Sequence, residues 1–194
     1  MSDSFVEPPW RAPLDIEACI AAIPPSATIT GMFLEGAAQL ARDKGHTIRA
    51  RARYTPFQPY PLEEHCRILV EVAQALFPRR SLREGLRRLG RGAPQVLLRS
   101  TVGRVVLGSA EGPLSTLEAM ARSYTLHMRP STLAVEAVGP RAVVIHLGDI
   151  YNFLDSHNVG VFEGVFHHMG VRSVIRICSH SPTRADFLCE WSGT

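Results

Sequence analysis

A chain of 194 residues with 45% hydrophobic and 20% charged side chains has material for one full core, and no apolar run approaches the ~18 residues of a membrane-spanning helix. A formal net charge of +3 is too small to imply nucleic acid as a partner. The four cysteines, Cys19, Cys66, Cys178 and Cys189, form no Cys-x-x-Cys pair, which argues against a structural zinc site.

The opening, Met1-Ser-Asp-Ser-Phe-Val-Glu-Pro-Pro-Trp10, is acidic and proline-bearing. It has neither the basic start nor the apolar stretch of a secretory signal. A flexible segment over residues 1–14, a cytoplasmic location and reduced thiols are therefore expected. A short helix over Asp15 to Ile23 ends at Pro24-Pro25. Ser26 or Thr28 caps the next, which runs from Ile29 to Asp43, turns Met32, Phe33, Gly36, Ala37 and Leu40 inward and stops at Gly45. Between His46 and Tyr60, Arg49, Arg51 and Arg53 alternate with Ile48, Ala50 and Ala52, a pattern that suits an edge strand and an extended connection equally.

Leu62 to Phe77 has the strongest helical periodicity. Leu62, Cys66, Leu69, Val70, Ala73, Leu76 and Phe77 make one stripe, while Glu63, Arg67 and Glu71 pair on the other face. Ser81-Leu-Arg-Glu84 is a capping box for a short helix closed by Gly90. Pro94 starts another, reaching about Leu107, and Ser115-Thr-Leu-Glu118 opens one that ends near Tyr124 or His127.

From Pro130 the pattern changes. The β-branched runs Thr132–Val138 and Ala142–Leu147 flank the turn pair Gly139-Pro140. Val161, Phe162, Val165, Phe166 and Met169 recur at helical spacing around Gly160 and Gly164. Val174–Cys178 and Phe187–Trp191 then close across Ser179-His-Ser-Pro182. The expected fold is α+β: a helical N-terminal layer packed on a C-terminal antiparallel four-stranded sheet (ββαββ), in a single domain over 15–194. The Gly160-x-x-x-Gly164 spacing permits a close backbone approach, with the sheet as the favoured neighbour and a twin helix in a dimer as the other.

No catalytic motif accompanies this framework. GxxxxGK[ST], GxGxxG after a strand, GxSxG and HExxH are all absent, so an enzyme is not expected and no catalytic residue is assigned. His168 shares a side with Val161 and Val165, where an imidazole can serve as a haem axial ligand, or simply sit at a helix C-terminus; it is the one weak metal-ligand candidate. Cys178 and His180 lie on the closing hairpin, where the two cysteines can approach each other. His146 is placed on the solvent side of its strand or lining a groove. Asp155 caps the helix that follows it, and Asp149 and Glu163 lie nearby.

Twenty-one basic residues include a single lysine, Lys44, and eight arginines fall between Arg79 and Arg104 with Glu84 as the lone acid. That stretch is either a solvated helix face or a docking surface for an acidic partner.

Ala27-Thr-Ile-Thr-Gly-Met-Phe-Leu34, Arg53-Tyr54 with Tyr60-Pro-Leu62, Leu76-Phe-Pro78 and Leu82 to Gly90 resemble an uncharacterised protein family largely confined to myxobacteria. Gly160-Val-Phe-Glu-Gly164 and Phe187-Leu-Cys-Glu-Trp191 look like its C-terminal signature, and the similarity spans Ile16 to Trp191. The arginine-rich composition suits the GC-rich genomes of such organisms. The family is distantly similar to the superfamily of haem-nitric-oxide-binding domains, vinyl-reductase-type small-molecule-binding domains and vesicle-tethering subunits. That resemblance implies a helical layer on a twisted sheet, a pocket between them, and frequently a dimer. The Tyr-x-Ser-x-Arg haem-propionate signature is absent, as is the glycine-aspartate turn of the final hairpin, so the resemblance does not name the occupant.

The leading expectation is a non-enzymatic small-molecule-binding or sensory module, homodimeric, with an apolar pocket between the Leu62–Phe77 helix and the sheet. Phe33, Leu69, Phe162, Phe166 and Trp191 are its candidate lining, and they suit an ordinary core equally well. The alternatives are a ligand-free adaptor that docks an acidic partner through Arg83, Arg87 and Arg88, and a haem-binding gas sensor.

Overall fold

The computed structural model describes residues 4–99, 110 and 112–193. Helix α1 (Ile16–Ala21) is opened by Asp15, whose carboxylate accepts the Ala18 N–H at 3.0 Å. Strand β1 (Thr28–Thr30) leads directly into α2 (Gly31–Asp43) and is the middle strand of a small antiparallel sheet. Its neighbours are β2 (Pro59–Pro61) and β3 (Met128–Arg129). Neither Ser26 nor Thr28 caps α2. Thr30 holds that position, and its hydroxyl is bonded to His127 Nδ1 at 3.1 Å instead of to the helix.

The arginine alternation between His46 and Tyr60 yields no strand before Pro59. Polar side-chain contacts hold the segment on α3 (Leu62–Leu76): Glu71 accepts the Arg49 N–H at 2.7 Å, and the Arg51 guanidinium forks onto Glu64 at 2.8 and 2.9 Å. Such side-chain anchoring satisfies the backbone locally and leaves no ladder to form.

Helix α4 (Leu82–Arg99) begins as its capping residue implies, with Ser81 Oγ accepting the Glu84 N–H at 3.2 Å. It then differs from expectation. Gly90 does not end it and Pro94 does not begin a new helix; both lie inside one helix, and the rest of the expected run to Leu107 falls outside the described residues. Helix α5 (Gly112–His127) starts three residues before Ser115, so the second expected capping box falls within its first turn.

The C-terminal unit matches its reading. Strands β4 (Thr132–Gly139), β5 (Ala142–Gly148), β6 (Arg172–Ser181) and β7 (Arg184–Ser192) form an antiparallel sheet of order β4-β5-β7-β6. Val143, Ile145, Leu147, Ile175, Ile177, Ala185, Phe187 and Cys189 alternate onto its buried face. Helix α6 (Val159–His168) covers that face, setting Phe162 edge-on to Phe187 and Phe166 against Trp191, each at 5.7 Å between ring centres.

The glycines of α6 do not face the sheet. A Cβ on Gly160 would stand 2.8 Å from the Arg87 carbonyl carbon, and one on Gly164 would stand 3.0 Å from that of Arg91. The neighbour they admit is α4, whose own Gly90 leaves room for the backbone at His157 and Val161. Gly90 is therefore a contact residue and not a helix stop. Two helices at backbone distance stack on one sheet, making three layers.

The register separates the cysteines: Cys189 pairs with Ile175 while Cys178 pairs with Asp186, an odd offset that puts the two thiols on opposite faces. All four cysteines are free. Residues 4–14 lie along the domain. Val6 exchanges two backbone hydrogen bonds with Ile177 at 2.9 and 2.8 Å, and the Arg87 guanidinium stacks on Trp10 at 3.8 Å.

Candidate functional site

A cavity of about 50 Å³ lies among the helices, between Ile29 and Phe33 on one side and the segment before α6 on the other. Helix α3 contributes His65, α4 Ala93 and Pro94, and α5 Met120, Ser123, Tyr124 and His127. Met128, Asn152, His157 and Val161 complete the described lining.

The segment before α6 is unusual. Phe153 takes a left-handed conformation at φ 59°, which non-glycine residues seldom adopt, and Leu154–Asn158 wind as a π-helical turn. Side chains hold it in place: Asn158 Nδ2 donates to Asn152 O and Oδ1, both at 3.0 Å, and the Tyr124 hydroxyl donates to Asn158 Oδ1 at 2.8 Å. The wide turn delivers the His157 ring opposite that of His65, 6.4 Å away and near perpendicular.

Four polar atoms of this lining have no partner among the described residues. Among the described residues, five buried side-chain polar atoms lack a hydrogen bond, and four of them belong to this lining: His65 Nδ1, Ser123 Oγ, His127 Nε2 and His157 Nδ1. Their residues are 3%, 1%, 8% and 4% exposed. An orphaned buried polar atom costs about 1–3 kcal/mol, so four around one space call for something to bind them. Burial pushes the His65 pKa down to about 3, aided by nearby His157, and that of His157 to about 4. Burial lowers that of His127 too. All three rings are therefore neutral near pH 7, each with one donor and one acceptor nitrogen.

Of the five residues expected to line a pocket, Phe33 does. Leu69, Phe162 and Phe166 are fully packed core, and Trp191 lies half-buried against Phe166 on the sheet. The cavity is thus among the helices, with His65 of α3 in its wall, and its described lining includes no residue of the four-stranded sheet. His168 is exposed at the far end of α6 and reaches no part of it. The histidines that matter carry no motif. His65 does have a readable signal, since it falls on the apolar stripe of α3 between Leu62 and Leu69. His157 has none, because its position depends on the π turn.

The arginine surface is largely matched within the chain. Arg83 pairs with Asp155, so that carboxylate does not cap α6; Arg87 and Arg91 share Glu163, and Arg80 and Arg88 share Glu84. Arg104 lies outside the described residues. His146 is on the open face of the sheet, as expected, bonded to Asp186 at 2.8 Å and Glu136 at 3.1 Å. Among the described residues no helix is long and apolar enough to cross a membrane, and no group of three or more His, Cys, Asp or Glu is arranged to hold a metal ion.

Residues 22–192 match a family described as proteins of unknown function, DUF2378. The chain belongs to the DUF2378 family. No curated protein matches it at a significant level. Its fold is that of H-NOX proteins. An unliganded Fe(II) H-NOX mutant from K. algicida is similar over 86% of this chain and 98% of its own, at TM-score 0.64 and 15% identity. An H-NOX protein from S. oneidensis in the Fe(II)NO ligation state covers 85% of the DUF2378 chain and 100% of itself, at TM-score 0.66 and 13% identity. An oxygen-binding H-NOX domain related to soluble guanylate cyclases covers 84% and 93%, at 0.61 and 13%.

Haem, which the resemblance implies for part of the superfamily, does not fit the residues of this DUF2378 chain. The space is far below the ~300–1,000 Å³ of pockets that enclose larger ligands. No arginine or lysine is among its described lining to receive propionates. Among the described residues the lining supplies imidazoles, but neither the room nor the counter-charge that haem needs.

Proposed function

We propose that this chain is a small-molecule-binding sensory module whose ligand occupies the cavity between α2, α3, α5 and the π turn. One observation carries this reading: four of the five unpartnered buried polar atoms among the described residues, brought together from three elements (α3, α5 and the π turn), belong to the lining of one space. A fold needs no such arrangement for stability, since apolar side chains would fill the space at lower cost. Binding is favoured over turnover. Ser123 Oγ and His127 Nε2 sit one helical turn apart but share no hydrogen bond, so the hydroxyl lacks the base that would activate it.

The π turn supplies the means of response. It joins the cavity through His157 to the α4–α6 seam, where Gly90 lies against the His157 backbone, and through Asp155 to Arg83. A ligand that draws on the His157 ring biases the position of this turn.

Native mass spectrometry of the gently purified chain tests the reading. The expected result is a retained small molecule that is lost in a His65→Leu, His157→Leu double variant of intact fold. Bare protein mass, with no small molecule raising the Tm of the natural chain selectively over that of the variant, would overturn it.

A further inference from the structure

We propose that the cavity takes a small, flat, uncharged molecule carrying both a hydrogen-bond donor and an acceptor, and that it admits this ligand past Phe33. The inference rests on the binding role proposed above and adds the ligand's chemistry and its route.

Charge is decided by the lining. None of its described residues is Asp, Glu, Lys or Arg, and its three imidazoles are neutral. An ion entering here would lose its hydration and meet no counter-charge. Hydrogen bonding is decided by the orphaned atoms. Neutral imidazoles and a serine hydroxyl offer donors and acceptors together, so a partner with both satisfies more of them than a partner with one.

Shape follows from the walls. His65 and His157 meet at 85°, Phe33 and His127 at 72° with 5.7 Å between centres, and Met120 and Met128 are part of the remaining wall. Ring edges, ring faces and thioethers suit a flat ring. Size then requires movement, because about 50 Å³ is a fraction of the ~150 Å³ cavity that takes benzene. Among the described lining residues, Phe33, Ala93 and Tyr124 are the half-buried ones. Tyr124 is tied to Asn158 and Ala93 has no rotatable side chain, which leaves Phe33 as the part that can swing toward solvent.

Calorimetry and thermal shift on the full chain, with four probes, test this. Pyrazole is a neutral ring with adjacent N–H and N. Thiophene is a ring of like size that donates no hydrogen bond, 1,3-dimethylimidazolium carries a fixed charge, and haemin is the anionic porphyrin. Pyrazole should bind and raise Tm, thiophene should bind at least ~10-fold more weakly, and the cation and haemin should not bind. Phe33→Ala should tighten pyrazole binding about 10-fold, because the closed ring no longer has to be displaced and the volume grows. His65→Leu should narrow the preference for pyrazole over thiophene without weakening thiophene, a pattern that loss of fold does not produce.

Equal affinity for pyrazole and thiophene, binding of the cation, or a haem absorption band on mixing with haemin would each overturn the ligand class. If pyrazole fails while native mass spectrometry retains another molecule, the class is wrong and the binding role stands. If pyrazole fails and the mass is bare, ordered water alone fills the cavity and both readings fall.

Discussion

Arg87 and Gly160 meet backbone to backbone, with no space for a β-carbon between α4 and α6. Gly164 against Arg91 and Gly90 against His157 repeat the relationship along the seam. The contact positions the site, because the π turn that carries His157 runs straight into α6 and packs against α4 at Gly90. Gly160→Ala should therefore destabilise the fold by about 3 kcal/mol, since rigid backbone and not a flexible side chain must yield. Gly92→Ala is the control. It lies on α4 with open space around it, and should stabilise by up to about 1 kcal/mol through helix propensity. Urea denaturation of the two variants checks the pair; equal effects would show that the seam is loose.

Much of this architecture is legible in the sequence. The hairpins from Thr132 and from Arg172, the covering helix and the α3 stripe announce themselves because period-2 and period-3.6 patterns record burial directly. Helix α4 departs from its local signals for a physical reason: Gly90 and Pro94 are helix breakers, and only the partner helix reveals that Gly90 serves a contact. The cavity lies away from its expected place for a related one. Large apolar residues such as Phe162 and Phe166 look the same in sequence whether they fill a core or line a pocket. The polar atoms that mark this site, on His65, on Ser123 and His127 of one helix, and on His157, come from three elements and are joined only by the fold.

The arginines of α4 should divide sharply. Arg87 is clamped by Glu163 and stacked on Trp10, whereas Arg88 reaches Glu84 at 3.0 Å across an exposed helix face. Arg88→Ala should change stability by no more than about 0.5 kcal/mol, as surface pairs do. Arg87→Ala should cost on the order of 1–2 kcal/mol, by leaving the largely buried Glu163 to Arg91 alone and by removing the packing on Trp10. Thermal denaturation with Trp fluorescence reads both. A larger loss from Arg88 would mean that the exposed face has a structural role the ion pairs do not account for.

His146 should titrate above the ordinary histidine range. Burial alone would lower its pKa, but hydrogen bonds to Asp186 and Glu136 outweigh that and raise it. Asp186 is pulled the other way: burial would raise its pKa, yet His180 and His146 together lower it. A base whose folded pKa is raised stabilises the fold below its unfolded pKa, and loses that contribution as pH climbs through the folded value. Asp186→Asn should bring the His146 pKa down in an NMR titration and reduce stability at pH 5.5 more than at pH 9. An unmoved His146 titration would separate the two residues in solution.

The buried imidazoles impose the opposite pH dependence. His65 and His157 have folded pKa values of about 3 and about 4, below their value in the unfolded chain. As pH falls below about 6.5, the unfolded chain takes up protons that the fold refuses, so stability drops across the window down to those folded values. By pH 4 each ring should have cost on the order of 3 kcal/mol, enough to matter to a domain whose total stability is about 5–15 kcal/mol. His65→Leu removes one proton acceptor and one orphaned polar atom while keeping volume. It should leave the ligand-free chain as stable at pH 7.5 or more so, and flatten its acid limb. Chemical denaturation from pH 4 to 8 checks both parts. A variant that weakens at pH 7.5 would show that the ring already has a partner inside the folded chain, and the stabilised, acid-resistant variant is the outcome that marks His65 as kept for a ligand at the expense of stability.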